Sequence, residues 1–77
     1  MDVTLPRLAE SLAEGVVWRW LKRPGERVAR GEPLVEIETD KVNAEVEAPC
    51  EGVLTEVLAE EGATVPVGAV IARIERR

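Results

Sequence analysis

Lys41 is where this chain offers chemistry. It stands in Thr39-Asp40-Lys41-Val42, and the surrounding block 36–47 sets five carboxylates, Glu36, Glu38, Asp40, Glu45 and Glu47, against that one cation, a charge of −4. An exposed lysine amine is protonated at neutral pH and nucleophilically weak, so acylating it takes a separate modifying enzyme. Other routes to chemistry are closed. Histidine is absent and Cys50 is the only cysteine. Ser-His and Cys-His nucleophile pairs therefore cannot form. A zinc or copper site of the usual ligands cannot be assembled, nor an intramolecular disulfide. Beside an aspartate in a turn, Lys41 would by itself be an ordinary solvated side chain. Its place in the chain sets it apart.

That place is defined by an internal repeat. Gly15–Glu38 aligns without gaps on Gly52–Glu75, with identical pairs Gly15/Gly52, Val16/Val53, Gly25/Gly62, Val28/Val65, Gly31/Gly68, Ile37/Ile74 and Glu38/Glu75. Three matched glycines predict matched turns, since glycine tolerates positive φ. With one insertion, Val3-Thr4-Leu5-Pro6 matches Val46-Glu47-Ala48-Pro49, and Arg7–Glu14 holds the extra residues as a loop. Each half reads as strand, turn, strand, turn, short strand. Val35-Glu36-Ile37-Glu38 alternates apolar and charged, and Val42–Ala48 alternates with Val42, Ala44, Val46 and Ala48 inward. Period two marks half-buried strands. No stretch of about ten residues keeps a helical period. The expected fold is all-β: a flattened barrel or sandwich of two four-stranded antiparallel sheets with pseudo-two-fold symmetry. Lys41 then sits on the hairpin between the halves, with Val42 opening the next strand. The turn matching it by symmetry falls past Arg76, which puts the Lys41 tip and the termini at opposite ends.

Composition limits the alternatives. Seventy-seven residues make one domain, 1–77, with a thin core and no room for an enclosed catalytic cleft. The net charge of −5 argues against nucleic-acid backbones as partners. No apolar run approaches the roughly 20 residues of a membrane helix, and Met1-Asp2-Val3 lacks the order of a signal peptide, so the chain reads as cytoplasmic. Trp18 and Trp20, two apart in a strand-like run, are expected to share a face as core or semi-exposed packing. Cys50 reads as an inert free thiol.

The chain resembles the lipoyl domain of 2-oxo acid dehydrogenase complexes over essentially its whole length. The resemblance is carried by Leu5-Pro6, Glu10–Gly15, Pro24–Val28, Gly31–Leu34, Glu36–Val42, Ala48-Pro49 and Gly52 in that order. It implies lipoic acid attached covalently to Lys41, with Asp40 as the family's preceding aspartate. It also implies a carrier, not an enzyme. The arm would be reductively acylated by a thiamin-diphosphate dehydrogenase (E1), deliver the acyl group to coenzyme A at the acyltransferase core (E2), and be reoxidised by dihydrolipoamide dehydrogenase (E3). A lipoylating enzyme would load it. Thr39, Asp40, Val42 and Glu38 around the tip, and Glu10 and Ser11 in the inserted loop, are the expected recognition residues. In the family that loop lies close to the lipoyl turn, and it is expected to set E1 specificity.

Three other readings are weighed against this one. A biotinyl carrier domain has the same hairpin but methionines beside its lysine, where this chain has Asp40 and Val42. The lipoylated protein of glycine cleavage is longer, with additional helices. An unmodified β-barrel interaction module would leave Lys41 bare. Met1 followed at once by a strand suggests the N-terminal domain of a longer E2 chain. Glu10–Gly15 and Thr39–Glu45 resemble branched-chain or 2-oxoglutarate types more than pyruvate ones. The isolated domain is expected to be a monomer.

Overall fold

A computed structural model describes residues 1–76. Eight strands run in the order β1 (Asp2–Thr4), β2 (Glu14–Trp20), β3 (Arg27–Val28), β4 (Pro33–Glu38), β5 (Asn43–Glu47), β6 (Gly52–Val57), β7 (Thr64–Pro66) and β8 (Val70–Glu75). They form two antiparallel four-stranded sheets, β1-β8-β6-β3 and β5-β4-β2-β7. Replacing β1, β8, β6 and β3 by their repeat partners β5, β4, β2 and β7 turns one sheet into the other. The pseudo-two-fold symmetry read from the repeat is therefore the symmetry of the fold. Each sheet draws two strands from each half. Neither half can bury its apolar face alone.

The sheets form a flattened sandwich and not a closed barrel, because no strand ladder joins them among the described residues. The short strand of each repeat is the third, β3 and β7, and not the last, β4 and β8, which the repeat pattern suggested. Strands β3 and β7 lie at sheet edges, where a short strand limits unwanted pairing. The inner faces meet over Val17, Leu34, Val35, Ile37, Leu54, Ile71, Ala72 and Ile74, all at most 1% exposed. Burying an aliphatic side chain of this size stabilises by about 1.5–3 kcal/mol.

Two of the three glycine pairs do make matched turns: Gly25 and Gly62 have φ of 94° and 92°, Gly31 and Gly68 of 84° and 90°. The third pair does not. Gly15 and Gly52 lie within β2 and β6, where the neighbouring strand comes too close for a side chain. A Cβ on Gly15 would stand 2.6 Å from Ile37 Cγ2, and one on Gly52 would collide with the backbone carbonyl of Glu75.

Candidate functional site

The β4–β5 hairpin is the element that carries Lys41. Its ladder runs from Pro33↔Glu47 to Glu38↔Asn43, leaving Thr39–Val42 as a four-residue tip. Val42 belongs to this tip and is 39% exposed, so it neither opens the next strand nor points inward. The reason is local. Thr39 closes the turn by donating its backbone N–H (3.0 Å) and its hydroxyl (2.7 Å) to the Val42 carbonyl. Thr39 Oγ1 in turn accepts the N–H of Val42 at 3.0 Å and that of Lys41 at 3.3 Å. Asp40 plays no part in this bonding. Its side chain is exposed, and these bonds of the turn all run through the threonine and the backbone.

Lys41 is exposed, and its Nζ donates to Ser11 Oγ at 2.5 Å. Ser11 comes from the inserted loop between β1 and β2. That loop is anchored at its base by buried Leu5 and the partly buried Leu8. It is tied internally by Arg7, whose Nη1 donates to the carbonyls of Glu10 and Leu12, each at 3.1 Å. Glu14, placed in the loop by the sequence alignment, already belongs to β2. Loop and tip share a depression lined by Ser11, Leu12, Ala13, Glu38, Thr39 and Asp40. Of the expected recognition residues, Ser11, Thr39, Asp40, Val42 and Glu38 thus meet around Lys41. The Glu10 side chain stands apart, exposed in the loop.

The described ends of the chain lie at the other end of the molecule. Met1 and Arg76 border a hollow with Arg30, Pro49, Cys50 and Glu51, beyond the Pro33↔Glu47 end of the hairpin. Cys50 is buried. The expectation that Trp18 and Trp20 share a face does not hold. Trp18 is 62% exposed and does not share a face with Trp20, which packs on the core and donates Nε1 to the Ala59 carbonyl at 2.8 Å. Trp18 follows buried Val17 and faces outward; a register shift between Val17 and Arg19, where β2 pairs with β4, then breaks the period of two and brings Trp20 inward. Period-two counting cannot reveal such a bulge.

A two-sheet sandwich of repeated halves, with one free lysine amine on the hairpin joining them, has the form of a covalent carrier. Residues 1–74 match the biotin–lipoyl family, described as "Biotin-requiring enzyme", and the chain belongs to that family. Within it, the likeness is to lipoyl domains. The solution structure of the lipoyl domain of the 2-oxoglutarate dehydrogenase complex from Azotobacter vinelandii is 43% identical, with a TM-score of 0.78, covering 99% of this chain and 96% of that one. The dihydrolipoyllysine-residue acetyltransferase component of the pyruvate dehydrogenase complex of Corynebacterium glutamicum is 52% identical over 95% of this chain and 11% of its own length. The succinyltransferase component of the 2-oxoglutarate dehydrogenase complex of Bacillus subtilis is also 52% identical, over 95% of this chain and 18% of its own. The chain spans less than a fifth of these two relatives, and equal identities give no support to the expected preference for branched-chain or 2-oxoglutarate types.

Proposed function

We propose that this chain is the lipoyl carrier domain of an E2 acyltransferase of a 2-oxo acid dehydrogenase complex, lipoylated on Lys41, and that it is part of a longer protein. The observation that carries the reading is the Lys41 amine: exposed on a turn fixed by Thr39, at the end of the molecule away from both described termini. A module tethered at the termini then presents its working group outward, at high effective concentration for the sites it serves.

The residues fit such a group. Nζ is a primary amine with one hydrogen-bond partner, Ser11, and nothing covers it. The amide would join Nζ to the lipoyl carboxyl carbon, with the activating group leaving and Nζ giving up its charge. When bound, a lipoyl group supplies a dithiolane that carries acyl groups and reducing equivalents between E1, the E2 core and E3. The chain's own work is positional. Thr39 holds the tip in one shape for the lipoylating enzyme, and Ser11 fixes the direction in which the lysine leaves the surface. On loading, the block 36–47 loses its only positive charge.

The test is intact mass after co-expression with an active lipoylating enzyme. Wild type should gain one lipoyl group, and Lys41→Arg should gain none. An unmodified wild type, beside a positive control acceptor, overturns the reading, and a biotin increment would replace it with the biotinyl one.

A further inference from the structure

The outer faces of the two sheets can be compared residue by residue, because the repeat places them in register. On the β1-β8-β6-β3 sheet, Asp2 stands opposite Arg73 across the strands. Arg73 Nε lies 3.2 Å from Asp2, its Nη1 lies 3.4 Å from Glu56, and small Thr55 beside them bonds the Arg73 carbonyl. Both carboxylates there reach the one guanidinium. On the β5-β4-β2-β7 sheet, the positions of Asp2, Arg73, Glu56 and Thr55 are taken by Glu45, Glu36, Arg19 and Trp18. Glu36 now stands opposite Glu45, a like-charged cross-strand pair. Arg19 engages Glu36 at 3.0 Å. Glu45 and Glu38 have no ion-pair partner among the described residues.

Like charges directly opposite each other destabilise a sheet, and a large exposed aromatic side chain adds nothing to this core. The fold therefore bears a cost on one face that its twin avoids. Trp18, Glu36, Glu38 and Glu45 line a groove of about 460 Å³ that reaches the Glu38↔Asn43 pair at the base of the Lys41 turn. An indole face beside unpaired carboxylates suits an arginine guanidinium, which stacks on the ring while its N–H groups reach carboxylate oxygens.

We propose that this groove docks an arginine-bearing edge of the E1 dehydrogenase, so that Trp18 and Glu45 set the affinity with which E1 accepts the domain. The proposal rests on the lipoyl-carrier reading. Charge complementarity selects a basic partner. Among the proteins that serve the arm, the E2 core would be joined to it in one chain and gains from tethering. E1 and E3 are separate proteins that must obtain affinity from the domain surface, since a small ring alone offers little. The groove is assigned to E1, and a KM defect with E3 in place of E1 would overturn the assignment.

The experiment uses the 77-residue chain, lipoylated and checked by intact mass, as substrate for reductive acylation by pyruvate, 2-oxoglutarate and branched-chain E1 in parallel. Trp18→Thr copies the residue at the matching position, Thr55, and should load normally and keep its Tm. With the E1 that acylates wild type, its KM should rise roughly 5- to 30-fold at unchanged kcat. Glu45→Lys should raise Tm by relieving the Glu36 repulsion, yet raise KM and flatten its salt dependence. A variant both more stable and a poorer substrate cannot owe its defect to misfolding. Unchanged KM in both variants overturns the proposal. So does a defect confined to loading, which would assign the groove to the lipoylating enzyme. A lipoylated wild type acylated by none of the three overturns the docking proposal while leaving lipoyl attachment to Lys41 intact.

Discussion

The two halves of this domain agree inside and differ outside. Leu34 and Ile71, Ile37 and Ile74, Val17 and Leu54 occupy matching buried places, because one sandwich must be filled from both sides. Trp18 and Thr55, or Glu36 and Arg73, occupy matching places on the outer faces and share no chemistry. Exposed substitutions usually change stability by less than about 0.5 kcal/mol, so symmetry there is not enforced. What the comparison teaches is where to look for function: at positions where one twin's carboxylate has a partner, as Asp2 has in Arg73, and the other's, Glu45, has none among the described residues.

The symmetry can be broken hardest at the third glycine pair. Gly52→Ala should cost about 3 kcal/mol, because its Cβ meets the Glu75 backbone, which can move only with the β6–β8 pairing. Gly15→Ala should cost nearer to 1 kcal/mol, because its Cβ meets a side-chain methyl of Ile37 that can rotate or shift. Thermal unfolding of the two variants checks both. Equal losses would mean that β2 and β6 pack alike after all.

The hairpin tip comes next, a feature with no twin among the described residues. Thr39→Val removes the hydroxyl that bonds Val42 O, Val42 N and Lys41 N. The loss should be about 1 kcal/mol, or a Tm lowered by roughly 4–8 °C. Slower lipoylation at saturating enzyme should accompany it.

The smallest expected effect separates the turns before β4 and β8. Glu32 Oε1 accepts the Ala29 N–H at 2.9 Å and Glu32 Oε2 meets Lys22 at 2.9 Å, whereas the matching residue is Ala69. The Ala29 N–H, and then the Lys22 ammonium, hold the Glu32 carboxyl below its ordinary range. A carboxyl so lowered stabilises the fold above its unfolded pKa, about 4.3, and that contribution is lost as pH falls through the lower folded value. Glu32→Gln should therefore lower Tm slightly at pH 7, with the gap closing below about pH 4. A gap unchanged at pH 3 would show that the carboxylate charge is not what holds the turn.

By itself the sequence determined the repeat, the all-β class, the pseudo-two-fold symmetry and the position of Lys41 between the halves. These follow from local rules: glycines that permit positive φ, alternation that selects a buried face, and a short link that forces a hairpin. Tertiary structure alone decided the rest. Ser11 meets Lys41 only because the inserted loop folds over the far end of the β4–β5 hairpin, thirty residues away in sequence. Val42 leaves the strand because Thr39 takes its backbone groups into the tip. Trp18 and Trp20 part company because a bulge in β2 shifts one residue against β4 and brings Trp20 inward. Glu45 becomes the like-charged neighbour of Glu36 through strand register, and register depends on how a whole sheet closes its core. Charge and residue type can be read along a chain, but which charges face each other is fixed only when the strands pair.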